Sequence, residues 1–182
     1  MNYNQFEHLV LEEFLEDMIN PWASDINSGR IVTADTEEAK SLVMRTILHE
    51  SGGLKYIRQV NAQGDYGPGF GLISMQRNRW FCTWSAIDSR KNASPEWKKL
   101  YHWIRTEVMK GQFDDIEELH WNLGLNVVMC RLAYLLVPST LPPVDLDSQA
   151  QYWFDHYNQS PEELREEREG AFKRTVNNFG IK

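Results

Sequence analysis

Hydrophobic residues recur at three- and four-residue steps along most of the chain, which is the pattern of amphipathic α-helices. The first helix is predicted within residues 3–19 and ends at Asn20-Pro21. A second begins at Asp35, whose carboxylate is the predicted N-cap with Glu38 at the capping-box position, and it ends before Gly52-Gly53.

Four more helices are predicted further along. The first is opened by Ser94 and Pro95 and reaches Val108, and the second spans 116–137 with a break at Gly124. The last two span 149–157 and 161–178, the latter capped by Ser160. Only the region 59–71 departs from this pattern, and its glycines favour turns or a small hairpin. We therefore predict an all-α fold.

The length of 182 residues suits one domain, which we divide into an N-terminal helix and linker (1–34) packed on a main domain (35–182). No apolar run approaches the roughly 18–20 residues that span a bilayer, so we expect no membrane insertion. The first 20 residues contain five acids and no Lys or Arg, unlike a signal peptide. Synthesis in the cytoplasm without a signal peptide is the expectation.

The formal net charge of −7 is unevenly distributed. Residues 77–105 hold seven Lys or Arg, two acids and four of the 7 tryptophans. The acidic balance of the whole chain argues against duplex nucleic acid as a partner. In the basic segment, aromatic faces could stack on sugar rings or on the bases of a single strand, or they could form the apolar stripe of a helix core. The sequence leaves these alternatives open.

Glu50 is the residue with the clearest chemical potential. It lies three positions after Ile47 and seven after Val43, on the apolar face and at the C-terminal end of its helix. Burial and the negative end of the helix dipole both favour the protonated carboxyl, the form that a general acid requires. The alternative is an acid that extends from a helix end into solvent.

Four segments together suggest a family. They are HESGG at 49–53, GPGFGLISMQ at 67–76, NVVMCRLAYL at 126–135 and AQYWFDHYN at 150–158. This set resembles the lytic transglycosylase and goose-type lysozyme superfamily, in particular members encoded by bacteriophages. The resemblance covers roughly residues 40–160 and implies a lysozyme-like fold. Ser74 stands where the family usually has a sugar-contacting glutamine, and Gln76 follows two residues later.

The resemblance implies a peptidoglycan-cleaving enzyme that acts on the bond between N-acetylmuramic acid and N-acetylglucosamine, with Glu50 as its single general acid and base. It also implies contacts to the glycan from a set of residues near Glu50: Ser51, Gly71, Gln76, Tyr134, Tyr157 and Asn158. Asp65 would act as a second carboxylate if it faced Glu50 and held a water molecule. The implied partners are glycan strands, reached by release from the cell or as part of a virion.

Two other functions remain open at this stage. One is a non-catalytic virion protein with a lysozyme-like fold, in contact with other virion proteins. The other is a helical module that binds single-stranded nucleic acid through residues 77–105. The five histidines show no metal-ligand spacing and no glycine-rich loop has a nucleotide-binding form, so we expect neither a metal nor a cofactor.

Overall fold

The computed structural model describes residues 3–7, 11, 13–18, 36–60, 65–111, 115–158 and 160–180. The chain is mostly helical, which confirms the all-α class. Its helices are α1 (Tyr3–Phe6), α2 (Glu13–Asp17), α3 (Glu37–Glu50), α4 (Arg77–Arg90), α5 (Pro95–Trp103), α6 (Leu123–Leu135), α7 (Leu146–His156) and α8 (Arg165–Asn178). Shorter turns of π-helix (Ile104–Val108) and 3-10 helix (Ile116–His120 and Glu162–Leu164) lie between them. None of the described helices is both long enough and apolar enough to cross a membrane.

Two short strands form a hairpin in the glycine-rich region, where the sequence predicts turns or a hairpin. Strand β1 (Arg58–Val60) pairs antiparallel with β2 (Tyr66–Phe70), with Arg58 opposite Phe70 and Val60 opposite Tyr66. The hairpin follows α3 after the turns of residues 51–57.

Helix α6 is the centre of the core. Every residue from Gly124 to Leu135 is buried, because the segment is mostly apolar and is covered by α2, α3 and α4. Helix α3 packs on one side of it and also contacts α7 and α8. This arrangement places the end of α3 beside α7 and α8.

The second predicted helix begins one residue later than expected. Thr36 is the N-cap of α3, and its hydroxyl accepts a hydrogen bond from the Ala39 N–H at 3.2 Å. The predicted cap, Asp35, lies outside the described residues. The predicted end is close to the observed one, since Glu50 is the last residue of α3.

The predicted break at Gly124 is wrong. The helical segment is interrupted at Trp121 and Asn122, and Asn122 caps α6 by accepting a hydrogen bond from the Leu125 N–H at 2.9 Å. Gly124 lies in the first turn of α6, where a Cβ would come within 2.2 Å of the Phe14 ring. The glycine therefore permits close helix packing, not a break.

Three other helix boundaries also test the sequence patterns. Ser94 caps α5 as predicted, accepting from the Trp97 N–H at 3.3 Å. Helix α7 starts earlier than predicted because Asp145 is its cap. Ser160 does not cap the last helix, since the turn Glu162–Leu164 intervenes before α8. The bounds of α4 were not predicted from the sequence.

The N-terminal segment shares the core of the main domain. Phe6, Leu11, Leu15 and Met18 are all buried in the same hydrophobic cluster as α3 and α6. The predicted boundary at residues 34 and 35 lies outside the described residues.

The aromatic residues of the basic segment face mostly inward. Trp80 and Trp97 are buried, and three more pack against the core: Trp84, Tyr101 and Trp103. Phe81 is 59% exposed. The packing observed is that of the helix-core alternative.

Candidate active site

A polar cleft of about 300 Å³ opens at the C-terminal end of α3. Its walls are the turn after β2, the first turns of α4, the link between α7 and α8, and α8 itself. Nine residues line it: His49, Glu50, Ser74, Gln76, Arg79, Tyr157, Asn158, Ser160 and Arg168. Of the lining residues that the structure describes, Glu50 is the only carboxylic acid.

Glu50 is partly buried, and its carboxyl is bonded to an indole. Its Oε1 accepts a hydrogen bond from the Nε1–H of Trp153 at 3.1 Å. Burial raises the pKa of Glu50 from 4.5 to about 7. Hydrogen bonds from Trp153 and Ser74 and the positive charges of Arg79 and Arg168 oppose this shift. The shift has the direction expected from the sequence, and it leaves a large share of the carboxyl protonated at neutral pH.

His49 lies beside Glu50 as a neutral group. Its ring packs edge-on against Trp153, with centroids 4.7 Å apart, and contacts Phe172 at 5.3 Å. Burial, with a further contribution from Arg168, lowers the pKa of His49 to about 4. His49 therefore brings no positive charge to the cleft near neutral pH.

A tight turn fixes the wall of the cleft opposite α3. Phe70 and Met75 exchange two backbone hydrogen bonds, of 3.0 and 2.9 Å, across the four residues between them. Gly71 and Ser74 in this turn have positive φ, +68° and +46°, and that of Ser74 is strained for a residue with a Cβ. The Ser74 hydroxyl donates to the backbone carbonyl of Glu50 at 3.2 Å, so the turn is tied to the end of α3.

A buried asparagine anchors the same turn to the core. Asn126 in α6 accepts from the Leu72 N–H at 2.8 Å and donates to the carbonyls of Leu119 and Asn122. A Cβ at Gly71 would lie 2.1 Å from the Asn126 Oδ1. Gly71 is therefore required by this close approach, and it lies outside the cleft lining.

Arg79 and Tyr157 hold the third wall. The guanidinium of Arg79 donates to the carbonyls of His156 (3.0 Å) and Tyr157 (2.7 Å), and it lies over the Tyr157 ring. The Tyr157 hydroxyl donates to the carbonyl of Ile73 at 2.8 Å. These bonds connect the end of α7 to α4 and to the turn after β2.

The structure brings four of the predicted site residues together in the cleft: Glu50, Gln76, Tyr157 and Asn158. Gln76 is exposed there, although it comes two residues after Ser74, the position at which the family that the sequence resembles has its glutamine.

The other predicted residues lie elsewhere. Ser51 is fully buried and its hydroxyl accepts from the Leu54 N–H at 2.7 Å, so it stabilises the end of α3. Tyr134 is buried and shares a hydrogen bond of 2.7 Å with Thr46. Asp65 is exposed at the start of β2 and does not line the cleft.

Sequence reasoning missed His49, Arg79, Ser160 and Arg168 as cleft residues. The position of Arg79 in the basic segment, three residues after Gln76, was the only available signal for it. Arg168 gave none, since it lies in a charged helix more than 100 residues from Glu50.

Within the described part of the chain, no group of His, Cys, Asp or Glu side chains is placed to hold a metal ion. No protein-family model matches the sequence, and neither a curated protein nor a solved structure matches the chain.

Proposed function

We propose that the protein cleaves peptidoglycan at the bond between N-acetylmuramic acid and N-acetylglucosamine, as a lytic transglycosylase or muramidase with a lysozyme-like fold. Glu50 is its single general acid and base. The observation that carries this proposal is the partly buried carboxyl of Glu50, with a pKa of about 7, which opens into a polar cleft. Among the residues that the structure describes, no second acid lines this cleft.

The first step uses the protonated carboxyl. Glu50 donates its proton to the oxygen of the scissile bond while the acetamido group of the muramic acid assists at the anomeric carbon. The Trp153 N–H stabilises the carboxylate that this transfer leaves behind. Substrate assistance fits a cleft without a carboxylate nucleophile.

The second step uses the same group as a base. The Glu50 carboxylate removes the proton of the sugar's 6-hydroxyl. The 6-oxygen then attacks the anomeric carbon, displaces the acetamido oxygen that had bonded there in the first step, and closes a 1,6-anhydro ring. Hydrolysis would instead require a positioned water molecule. Asp65 could hold that water only from within the cleft, and it is not part of the cleft lining. The geometry therefore favours the anhydro product over the hydrolysed one.

Product analysis tests this proposal directly. Purified peptidoglycan is incubated with the wild-type protein and with the variants Glu50→Gln and Asp65→Asn, and the soluble muropeptides are identified by mass spectrometry. Anhydro ends from the wild type and from Asp65→Asn, but not from Glu50→Gln, are expected. Reducing ends that disappear in Asp65→Asn would assign Asp65 a catalytic role and contradict the anhydro mechanism.

The non-catalytic virion protein remains the alternative outcome of that experiment. Release of no muropeptide by folded wild-type protein, over several wall types, would favour it. The structure does not support the nucleic-acid alternative, because most aromatic residues of the basic segment pack in or against the core and are not free to stack on bases. An origin in a phage or prophage, with release to the wall or incorporation into the virion, belongs to the same proposal.

A further inference from the structure

The cleft carries positive charge in an acidic protein. Arg79 and Arg168 both line it. Glu50, the only acid among the described lining residues, is largely protonated below neutral pH. His49 stays neutral in this range. The cleft is therefore locally positive although the chain has a net charge of −7, and it favours an anionic ligand.

The two arginines are held in different ways. Arg79 is partly buried and fixed by its bonds to the carbonyls of His156 and Tyr157. Arg168 is exposed on α8 and makes no hydrogen bond or ion pair with any residue that the structure describes. One guanidinium is thus preorganised, and the other has its donors available for a ligand.

The neutral residues of the lining add further donors. The Asn158 Oδ1 already accepts from the Ser160 N–H at 2.8 Å, which leaves its NH₂ group for the cleft. Gln76, another residue of the lining, is exposed and carries a second amide. A lining rich in donors suits a group that only accepts hydrogen bonds, and a planar carboxylate matches the fork of a guanidinium.

We propose that Arg79 and Arg168 bind a carboxylate of the glycan next to the bond that Glu50 cleaves. This inference rests on the proposed function and predicts that a glycan with a free carboxylate binds more tightly than the same glycan with that carboxylate capped. Two groups of peptidoglycan supply such a carboxylate. One is the lactyl group of peptide-free muramic acid, and the other is an acidic residue of the stem peptide.

Binding is best measured without turnover, in the Glu50→Gln protein. This background also removes the effect of Arg168 on the pKa of Glu50, so that a change in binding reports contact with the ligand. Three probes are used. The first is a peptide-free tetrasaccharide in which N-acetylglucosamine alternates with N-acetylmuramic acid, and the second is the same molecule with its lactyl carboxylates capped as methylamides. The third is the tetrasaccharide with its stem peptides attached. Calorimetric titration gives each Kd.

The second substitution is Arg168→Gln, and its matched control is Arg174→Gln. Arg174 is an exposed arginine of the same helix outside the cleft lining, so its replacement changes the net charge equally. We expect a carboxylate-bearing probe to bind about tenfold more tightly than the capped probe at low salt. Arg168→Gln should remove most of this difference, and Arg174→Gln should preserve it.

The outcomes separate the two proposals. Equal loss of affinity for charged and capped probes, or no loss at all, would overturn the carboxylate site while cleavage by the wild type could still support the enzyme. Charge-dependent binding without any cleavage by the wild type would keep the site and overturn the activity. No binding of any probe would overturn the site.

The probes also identify which carboxylate is bound. A charge preference seen only with the stem-bearing form assigns the carboxylate to the peptide, and one seen with the peptide-free form assigns it to the lactyl group.

Discussion

Two glutamates of this protein accept a hydrogen bond from a tryptophan indole, yet their surroundings differ completely. Glu50 is bonded by Trp153 and Glu118 by Trp121, each over 3.1 Å. Trp121 is only three residues from Glu118 and is 62% exposed, whereas Trp153 is fully buried and lies 103 residues from Glu50.

The comparison indicates that a carboxyl–indole pair is not a sufficient criterion for proposing a catalytic acid. Glu118 is 8% exposed and belongs to the turn that supports α6, outside the cleft lining. Glu50 combines burial with an opening to a ligand-sized cleft. An acid must exchange its proton with a substrate, so access to the cleft is the property that separates the two.

The largest expected effect is on activity. Glu50→Gln should lower the rate of peptidoglycan cleavage by about a thousandfold, because it removes the general acid and keeps the shape of the side chain. Glu118→Gln, measured by release of soluble muropeptides under the same conditions, should retain activity within about twofold. Comparable losses in the two variants would mean that Glu50 acts through the structure and not through its proton.

The second effect is on stability and depends on pH. The pKa of Glu50 is raised in the folded protein, so ionisation of Glu50 opposes folding and its cost grows as the pH rises from 4.5 to about 7. Glu50→Gln should therefore increase the free energy of unfolding by up to about 3 kcal/mol at pH 8, and by little at pH 4. Urea denaturation at the two pH values measures this difference, and a variant that is less stable at pH 8 would contradict it.

The smallest effect concerns the hydrogen bond that each indole donates. The Trp153 bond lowers the pKa of Glu50, so its loss in Trp153→Phe should move the high-pH limb of the kcat/KM profile upward by about one pH unit. Trp121→Phe should leave the limb in place. Because Trp153 is fully buried, its replacement also costs packing energy, and the profile is recorded below the temperature at which the variant unfolds. An unshifted limb in folded Trp153→Phe would show that the bond does not influence the acid.

Local features of the fold followed directly from the sequence. The Ser94 cap and the end of α3 near Gly52-Gly53 were predicted, since they depend on hydrogen bonds between residues a few positions apart. The predicted break at Gly124 was wrong because this position is a glycine to allow the Phe14 ring to pack against it. That contact crosses the core, and a local sequence pattern gives no sign of it.

The same contrast between local and long-range contacts explains which residues of the candidate site could be predicted. Glu50 could be identified because its helical face and its place at the helix end are properties of neighbouring residues. Ser51 and Tyr134 were assigned to substrate and lie outside the cleft lining, since their hydroxyls bond to Leu54 and Thr46 within the protein. Which hydroxyl faces a ligand depends on how the helices pack.

The sequence by itself determined the helical class, a non-helical region of turns or a small hairpin at the glycines, and the position of one acid at a helix end, because periodicity and capping act over a few residues. Only the tertiary structure decided that Trp153 bonds to this acid, that burial raises its pKa, and that Arg79 and Arg168 line the same cleft. These contacts join α3, α4, α7 and α8 over distances of 29 to 118 residues along the chain. Folding brings these four helices together, and a pattern among neighbouring residues cannot predict contacts between segments so far apart in the sequence.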